Sequence, residues 1–552
     1  MASRSTPNRL ARGVGTVARR FVAGTRQRTR IDTRSLAAFR IALGLLIVAD
    51  ILLRSRNRTL FYTDEGVVPI ELAIAAEPVA AYSPYAFVGS PGGVALLFGL
   101  TALVGVALAV GYYTRSVTVV ALVLVVSLDA RNPFVLSFAD VLFATLLAFA
   151  VFLPLGERWS VDAVASDRPR RTSVASVASA LVLTQLVVMY VVNGYHKTTS
   201  ELWRSGEAAV LVLGIDEITF LFGDALRAAP ELLQLGGFVW LVMLCLAWLL
   251  LVLRDRPRHL FVAAFVIAHL SMAFTVRIGA FSYVCLAGLL LFLQPSAWAD
   301  LERAVRWTDR RVASSTHSGD SGAAGGSTVC ERLVAGAGRV PRPTTTRPSR
   351  TLTAVRSRLP DRLASHAVVV LTLGGLAAVL LVAVGLSAVG VVDDDTPRAE
   401  VEAGTSAFVE FQTDWSIFAP VPRTTDRYYV FPARTANGSL VDAHAGRELS
   451  YDRPYDELQR QHATYRERFY MVSLFDDEDT SDRVASRLAE HTCETYRSDS
   501  GDSLTRVEIY LVTERITRET IDDPEARDRS ASRLFAHDCV DDGDPLPPPP
   551  FD

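Results

Sequence analysis

The stretch SVASALVLTQLVVMYVVNGYHK, residues 176–197, decides the fold class of this chain. It carries no charged side chain until it ends on His196 and Lys197. An apolar helix of about 20 residues is long enough to cross a hydrocarbon layer of roughly 30 Å. Lys197 is also the only lysine, since the other 55 of the 56 Lys and Arg residues are arginines. The stretch therefore predicts a membrane span that ends on a single amine.

Charged residues are segregated from apolar ones throughout the chain. Of the 552 residues, 50% are apolar and 21% are charged, and the mean hydropathy is positive. The long uncharged stretches predict an all-α polytopic membrane protein with a C-terminal extracytoplasmic α+β domain. We predict nine spans, at about residues 35–53, 92–113, 116–130, 134–155, 173–195, 233–253, 258–277, 280–297 and 367–392.

Arginine placement predicts the orientation, because cytoplasmic loops are enriched in Lys and Arg. The basic N-terminus shows no cleavable signal peptide, and we expect it to be cytoplasmic together with loop 156–172 and the run Arg254–Arg258. The predicted parts are a basic cytoplasmic N-terminus (1–34), a transmembrane domain (35–297), an Arg-rich, disordered cytoplasmic linker (298–366), a last span (367–392) and an acidic extracytoplasmic domain (393–552).

The C-terminal domain is strongly acidic. Residues 393–552 contain 35 acidic and 18 basic side chains, a net charge of −17. This composition is typical of adaptation to high salt, a halophilic habit, and recognition by a basic partner is the competing interpretation. Cys493 and Cys539 are its only cysteines and could form a disulfide outside the cell, or stay reduced. No cysteine pair has metal-ligand spacing, so we predict no metal site.

Lys197 has two interpretations. A lysine near a helix end can thread its amine to the membrane interface, but arginine does this equally well. A chain that otherwise uses only arginine suggests a role that needs an amine. Lysine can lose its proton and act as a base, whereas arginine stays protonated.

Other polar residues in the spans are also candidates. His269 lies inside a predicted span, which makes it either a site residue or one half of a hydrogen bond between helices. Asp50 needs a partner, for which Arg40 and Arg54 are both available. We assign Trp159, Trp203 and Trp298 to the interfacial aromatic belt.

Four segments resemble the vitamin K-dependent γ-glutamyl carboxylase superfamily, whose prokaryotic members are called HTTM domain proteins. The resemblance covers about residues 30–300. The segments are RWSVDA (158–163), YVVNGYHK (190–197), LWRSG (202–206) and HLSMAFTVRIGAFSYVCLA (269–287).

The resemblance implies a site and a chemistry. It implies that Lys197 is the base that activates a reduced quinone of the vitamin K or menaquinol type. Reaction with O2 then provides the base that removes a γ-proton from a peptide glutamate before CO2 adds. His269 is implied as a second catalytic residue, and Tyr190 and Tyr283 as cofactor-binding residues.

Two functions follow from this interpretation. The first is quinol-coupled modification, such as carboxylation, of an extracytoplasmic peptide. The alternative is a non-catalytic membrane scaffold for maturation or export of a secreted partner. We expect membrane lipids and a secreted peptide or protein as partners, and no nucleic acid. A transporter fits less well, because the spans lack a run of polar or broken helices.

Overall fold

A computed structural model describes residues 27–166, 169–316, 415–475, 478–497, 501–540 and 544–551. The α-helices are α1 Thr33–Arg54, α2 Arg58–Tyr62, α3 Ile70–Ala76, α4 Pro91–Val110, α5 Thr114–Arg131, α6 Phe138–Ala150, α7 Val161–Val164, α8 Val177–Thr198, α9 Glu201–Ser205, α10 Glu207–Gly214, α11 Gly223–Arg227, α12 Pro230–Cys245, α13 Leu249–Val252, α14 Asp255–Thr275, α15 Phe281–Leu289, α16 Pro295–Thr316, α17 Tyr465–Val472 and α18 Glu478–Thr495.

Fewer long apolar helices are found than the nine spans predicted. Within the described residues, four are long and apolar enough to cross a membrane: Thr33–Tyr62, Pro91–Val110, Val177–Thr198 and Asp255–Thr275. A fifth candidate is a pair of helices, Phe281–Phe292 and Pro295–Ala304, which meet at a bend of 106°. The prediction of an apolar, helical protein is therefore confirmed, while nine spans are not.

Local chemistry explains why the other predicted spans are shorter. The span predicted at 134–155 becomes α6, which starts after a capping box of Ser137 and Asp140. The span predicted at 233–253 is divided between α12 and α13. The span predicted at 116–130 corresponds to α5, which carries charged residues near both of its ends. The span predicted at 367–392 lies outside the described residues. Residues 298–316, placed in the linker by the sequence, continue helix α16.

Three basic segments, around residues 28–34, 170–171 and 254–258, meet at one end of the helical domain. The start of α1 is bonded to the loop before α8, through Thr33 and the Thr172 carbonyl. Arg28 reaches the Val252 carbonyl, and Arg34 pairs with Glu302 of α16. Arg40 is fully buried at this end and donates to four backbone carbonyls, those of Ala109, Leu155, Arg158 and Trp159. Arg40 is thus not the partner of Asp50.

The C-terminal residues form a sheet with two helices. Its strands are β3 Thr425–Val430, β4 Pro432–Thr435, β5 Leu440–Asp442, β6 Arg447–Glu448, β7 Leu504–Arg515 and β8 Arg529–Asp538, while β1 Ile31–Asp32 and β2 Ser173–Val174 pair within the helical domain. The long strand β7 is central, with β8 on one side and β3 and β4 on the other, all antiparallel. Helix α18 packs on β7 and β8, and a disulfide joins Cys493 to Cys539.

This sheet domain packs on the end of the helical domain opposite the basic segments. Arg466 of α17 binds both Asp50 and Asp140, and Arg54 binds Asp50 at 2.7 Å from the other side. The rings of Phe61 and Tyr470 lie 5.0 Å apart within one hydrophobic cluster that contains residues of both domains. The two domains therefore share a buried interface that is both charged and apolar.

Candidate functional site

Helix α8 presents a row of polar side chains near its C-terminal end. The helix begins after Ser176, whose hydroxyl accepts the Ser179 N–H, and it ends at Thr198. Tyr190, Asn193 and Lys197 follow one another at intervals of three and four residues, which places them on one face of a helix. All three are buried, and all three line a cavity.

The polar face of α8 lies close to α12 because of Gly194. A methyl group added at this glycine would sit 3.0 Å from Leu244 Cβ and 3.2 Å from the Cys245 nitrogen. Small residues of this kind let two helices approach closely in a membrane. Gly194 therefore allows the close approach of α8 and α12, two of the helices that enclose the cavity.

The cavity has a volume of about 570 Å³ and lies between α8, α12 and α14. Its walls are mostly apolar. Three lining residues are also exposed on the outer surface of the helices, namely Leu232 at 58%, Val239 at 45% and Ile267 at 67%. The cavity therefore extends to the apolar outer surface between α12 and α14.

The Lys197 amine is enclosed, with 1% of the residue exposed. It donates a hydrogen bond to the backbone carbonyl of Ile417 and lies 4.1 Å from the centre of the Trp203 ring. Among the described residues, no carboxylate pairs with it in a salt bridge. Its surroundings are thus a carbonyl and an aromatic face, which attract an ammonium but supply no compensating negative charge.

The carbonyl that accepts the Lys197 hydrogen bond belongs to a segment that precedes the sheet domain. Residues Trp415 to Phe418, which we call the inserted segment, contribute Trp415, Ile417 and Phe418 to the cavity wall. The Asn193 amide donates to the carbonyls of Trp415 at 2.6 Å and Ile417 at 3.1 Å. Trp203 Nε1 donates to the Phe418 carbonyl at 2.8 Å. Three side chains of the helical domain therefore bind three backbone carbonyls of the inserted segment.

His269 of α14 binds the same row of α8 residues. Its Nε2 atom lies 2.8 Å from the Tyr190 hydroxyl, in a fully buried position. Its ring is surrounded by the rings of Tyr190, Trp240 and Phe281, with centroids 5.7–6.2 Å away. Within the described part of the chain, its Nδ1 atom has no hydrogen-bond partner.

The structure brings three of the four predicted site residues together. Lys197 and Tyr190 line the cavity, and His269 is bonded to Tyr190. Tyr283 is 48% exposed and is not among the lining residues, so it lies apart from the other three. Trp203, which the sequence assigned to the interfacial belt, is buried in the cavity wall instead.

Two participants were missed by sequence reasoning. Asn193 could have been found, because it lies three residues after Tyr190 and four before Lys197, on the same helical face. The inserted segment gave no such signal, since it is separated from Lys197 by 220 positions. In the described ranges, no group of three or more His, Cys, Asp or Glu side chains could hold a metal ion.

Long apolar helices and a mostly apolar cavity with a few buried polar side chains define the class: a helical membrane protein with a sheet domain packed against one end. Residues 28–298 match the family model of the HTTM domain, so the chain contains an HTTM domain. The γ-glutamyl carboxylase-like superfamily is the general context of that family. Neither a curated protein nor a solved structure matches the chain.

Proposed function

We propose that this protein is a membrane enzyme in which Lys197 acts as a base toward a reduced quinone, serving the carboxylation of an extracytoplasmic peptide. The observation that carries the proposal is the placement of the sole lysine amine in a mostly apolar cavity, without a carboxylate partner among the described residues. A buried ammonium is costly without such a partner, and lysine can release its proton where arginine does not.

The cavity residues fit a quinone with an apolar tail. The opening between α12 and α14 offers an apolar surface for the tail, through Leu232, Val239 and Ile267. Inside, the Lys197 amine and the Tyr190 hydroxyl offer polar contacts for a ring oxygen. When bound, a reduced quinone together with O2 would supply the oxidation that generates a base strong enough to remove a proton from carbon.

Each residue of the site has a distinct task in this proposal. Lys197 Nζ accepts a proton from a hydroxyl in the cavity. Asn193 and Trp203 hold the inserted segment beside the amine, since both donate hydrogen bonds to its backbone carbonyls. The Tyr190–His269 pair orients a hydroxyl donor toward the cavity. The apolar walls exclude water, which would otherwise protonate a carbanion.

We also propose that the sheet domain is extracytoplasmic and that the N-terminus is cytoplasmic. Arginine-containing segments gather at one end of the helices, and positive residues favour the cytoplasmic side. The opposite end carries the domain that contains the Cys493–Cys539 disulfide, and disulfides are typical of oxidising compartments.

A scaffold without catalysis is the second candidate. It is favoured by the extensive interface of the sheet domain, whose inserted segment occupies hydrogen-bond donors of the cavity. In this case the acidic domain would bind a secreted partner, and the lysine would serve only to anchor the chain. Lys197→Arg separates the two functions, because arginine keeps the charge and the donor but cannot act as a neutral base.

The experiment is mass spectrometry of secreted peptides from cells with wild-type protein, with no protein, and with Lys197→Arg. We expect peptides that are heavier by one CO2 in the wild type, and a loss of about 10²–10⁴-fold in the variant, the usual contribution of a general base. The control Arg204→Lys exchanges the same two residue types at an exposed position and should have no effect. Wild-type activity in Lys197→Arg would exclude the catalytic base, and identical peptides with and without the protein would exclude carboxylation.

A further inference from the structure

Hydrogen bonds from side chains of the helical domain to backbone carbonyls, together with apolar packing, hold the inserted segment in the cavity. It forms no strand with the helical domain, and its only regular feature is a turn in which the Ser416 carbonyl accepts the Ala419 N–H. The helical domain contributes Asn193, Lys197 and Trp203, each through one donor group. Any ligand with suitably placed oxygen acceptors could take over these donors, because the bonds are to carbonyl oxygens and not to specific side chains.

Two features show that this placement carries a local cost. Phe418 is held at a φ of 53°, in the left-handed region that a bulky residue rarely adopts. The indole N–H of Trp415 is buried without a hydrogen-bond partner among the described residues. Strained or unsatisfied groups of this kind persist where the surrounding structure holds them, and they are common at ligand clamps.

The position of the segment also determines access to the amine. Within the described residues, the Ile417 carbonyl is the hydrogen-bond acceptor of Lys197 Nζ. Trp415, Ile417 and Phe418 all line the same cavity as the amine. Because these residues lie beside Nζ, a ligand that approaches the amine from this side must displace the Ile417 carbonyl.

We propose that Asn193, Lys197 and Trp203 form a carbonyl-binding site whose resident ligand is the inserted segment, and that this segment must leave Lys197 before a substrate can use the amine. The amine is thus covered by the chain itself in the state described, and the sheet domain, to which the segment leads, controls its exposure to the cavity. The consequence for activity rests on the proposed function, whereas the test below does not.

The sole lysine makes the test simple. Reductive methylation with formaldehyde and cyanoborohydride can modify only Lys197 and the α-amino group, so the full-length protein can be labelled in detergent and mass spectrometry of its peptides then reports the two rates separately. We expect slow modification of Lys197 relative to the α-amino group in the wild type. Asn193→Leu removes two hydrogen bonds to the segment and should speed Lys197 modification about tenfold, and Trp415→Ala should do so at least as much.

A matched control separates this effect from general loosening of the fold. Trp298 is also buried but lies at the opposite end of the helical domain, where it donates to the Ser35 hydroxyl. Trp298→Ala should leave the Lys197 rate unchanged relative to the α-amino group. The proposal is overturned if Asn193→Leu and Trp415→Ala both keep the wild-type rate, or if Trp298→Ala speeds modification as much as Trp415→Ala. Neither result would bear on whether carboxylation occurs.

Discussion

The guanidinium of Arg466 lies 2.8 Å from the carboxylate of Asp140, although 326 positions separate the two residues. Both are almost completely buried, and the contact joins helix α17 of the sheet domain to helix α6 of the helical domain. Arg466 also binds Asp50, so one cation compensates two carboxylates at the interface.

Replacing Arg466 with methionine should destabilise the protein by about 3–5 kcal/mol, because the buried Asp140 and the partly buried Asp50 would both lose a partner. The loss should appear as a lower midpoint of thermal unfolding in detergent. Arg460→Met is the control, since Arg460 is exposed and its pair with Glu457 contributes little. Equal midpoints for the two variants would show that the interface does not depend on this ion pair.

Gly194→Ala should destabilise the contact between α8 and α12. Its added methyl group would lie 3.0 Å from Leu244 Cβ, closer than an ordinary van der Waals contact, and we expect a cost of about 1–3 kcal/mol. Gly99 of α4 has open space where a methyl group would be added, so Gly99→Ala should be neutral or stabilising by about 0.5–1 kcal/mol. Unfolding midpoints of the two variants measure the difference, and a tolerated Gly194→Ala would contradict the proposed packing role.

Tyr190→Phe should leave His269 without its hydrogen-bond partner. A buried polar group that loses its partner costs about 1–3 kcal/mol, which chemical denaturation can measure. Tyr283→Phe removes a hydroxyl from a half-exposed tyrosine and should change stability by no more than about 0.5 kcal/mol. Equal losses of stability in the two variants would show that the Tyr190–His269 hydrogen bond stabilises the fold no more than the hydroxyl of a half-exposed tyrosine does.

His462 should make the sheet domain less stable in acid. Burial lowers the pKa of His462 to about 3, and the side chain lies 4.0 Å from Glu217, with His444, Arg468 and Arg277 also facing it. Although burial alone would raise the pKa of Glu217, Arg423 and Arg468 hold it below its usual range, so this neighbour stays ionised in mild acid.

The sign of the pH dependence follows from the two states of His462. An unfolded histidine binds a proton below a pH of about 6.5, whereas the folded one resists protonation until a pH of about 3. The unfolded state therefore binds more protons in this window, and stability falls by about 1.4 kcal/mol per pH unit as the pH is lowered. His462→Gln should flatten this slope in denaturant titrations at several pH values. An unchanged slope would assign the acid sensitivity to other groups.

Several features of the site could be predicted from the sequence alone. The apolar run before Lys197 predicted α8, which the structure places at Val177–Thr198, and the count of lysines singled out Lys197 before any contact was known. The competing partners of Asp50 could also have been separated in this way, by their spacing along the helix. Arg40 and Arg54 are both near Asp50 in sequence. Arg54 follows Asp50 by four residues, about one helical turn, so the two side chains lie on the same face of α1, where Arg54 also pairs with Asp129.

Hydropathy and residue type thus determined, without further information, that the chain has membrane-length helices, a lone amine near the end of one of them, and a charged C-terminal part with helices and strands. These are local properties, which depend on runs of neighbouring residues. Only the tertiary structure decided that Lys197 donates to the Ile417 carbonyl, that His269 binds Tyr190, and that Tyr283 lies apart. These contacts join residues that are far apart in the chain, and they depend on how helices and sheet pack around a shared cavity.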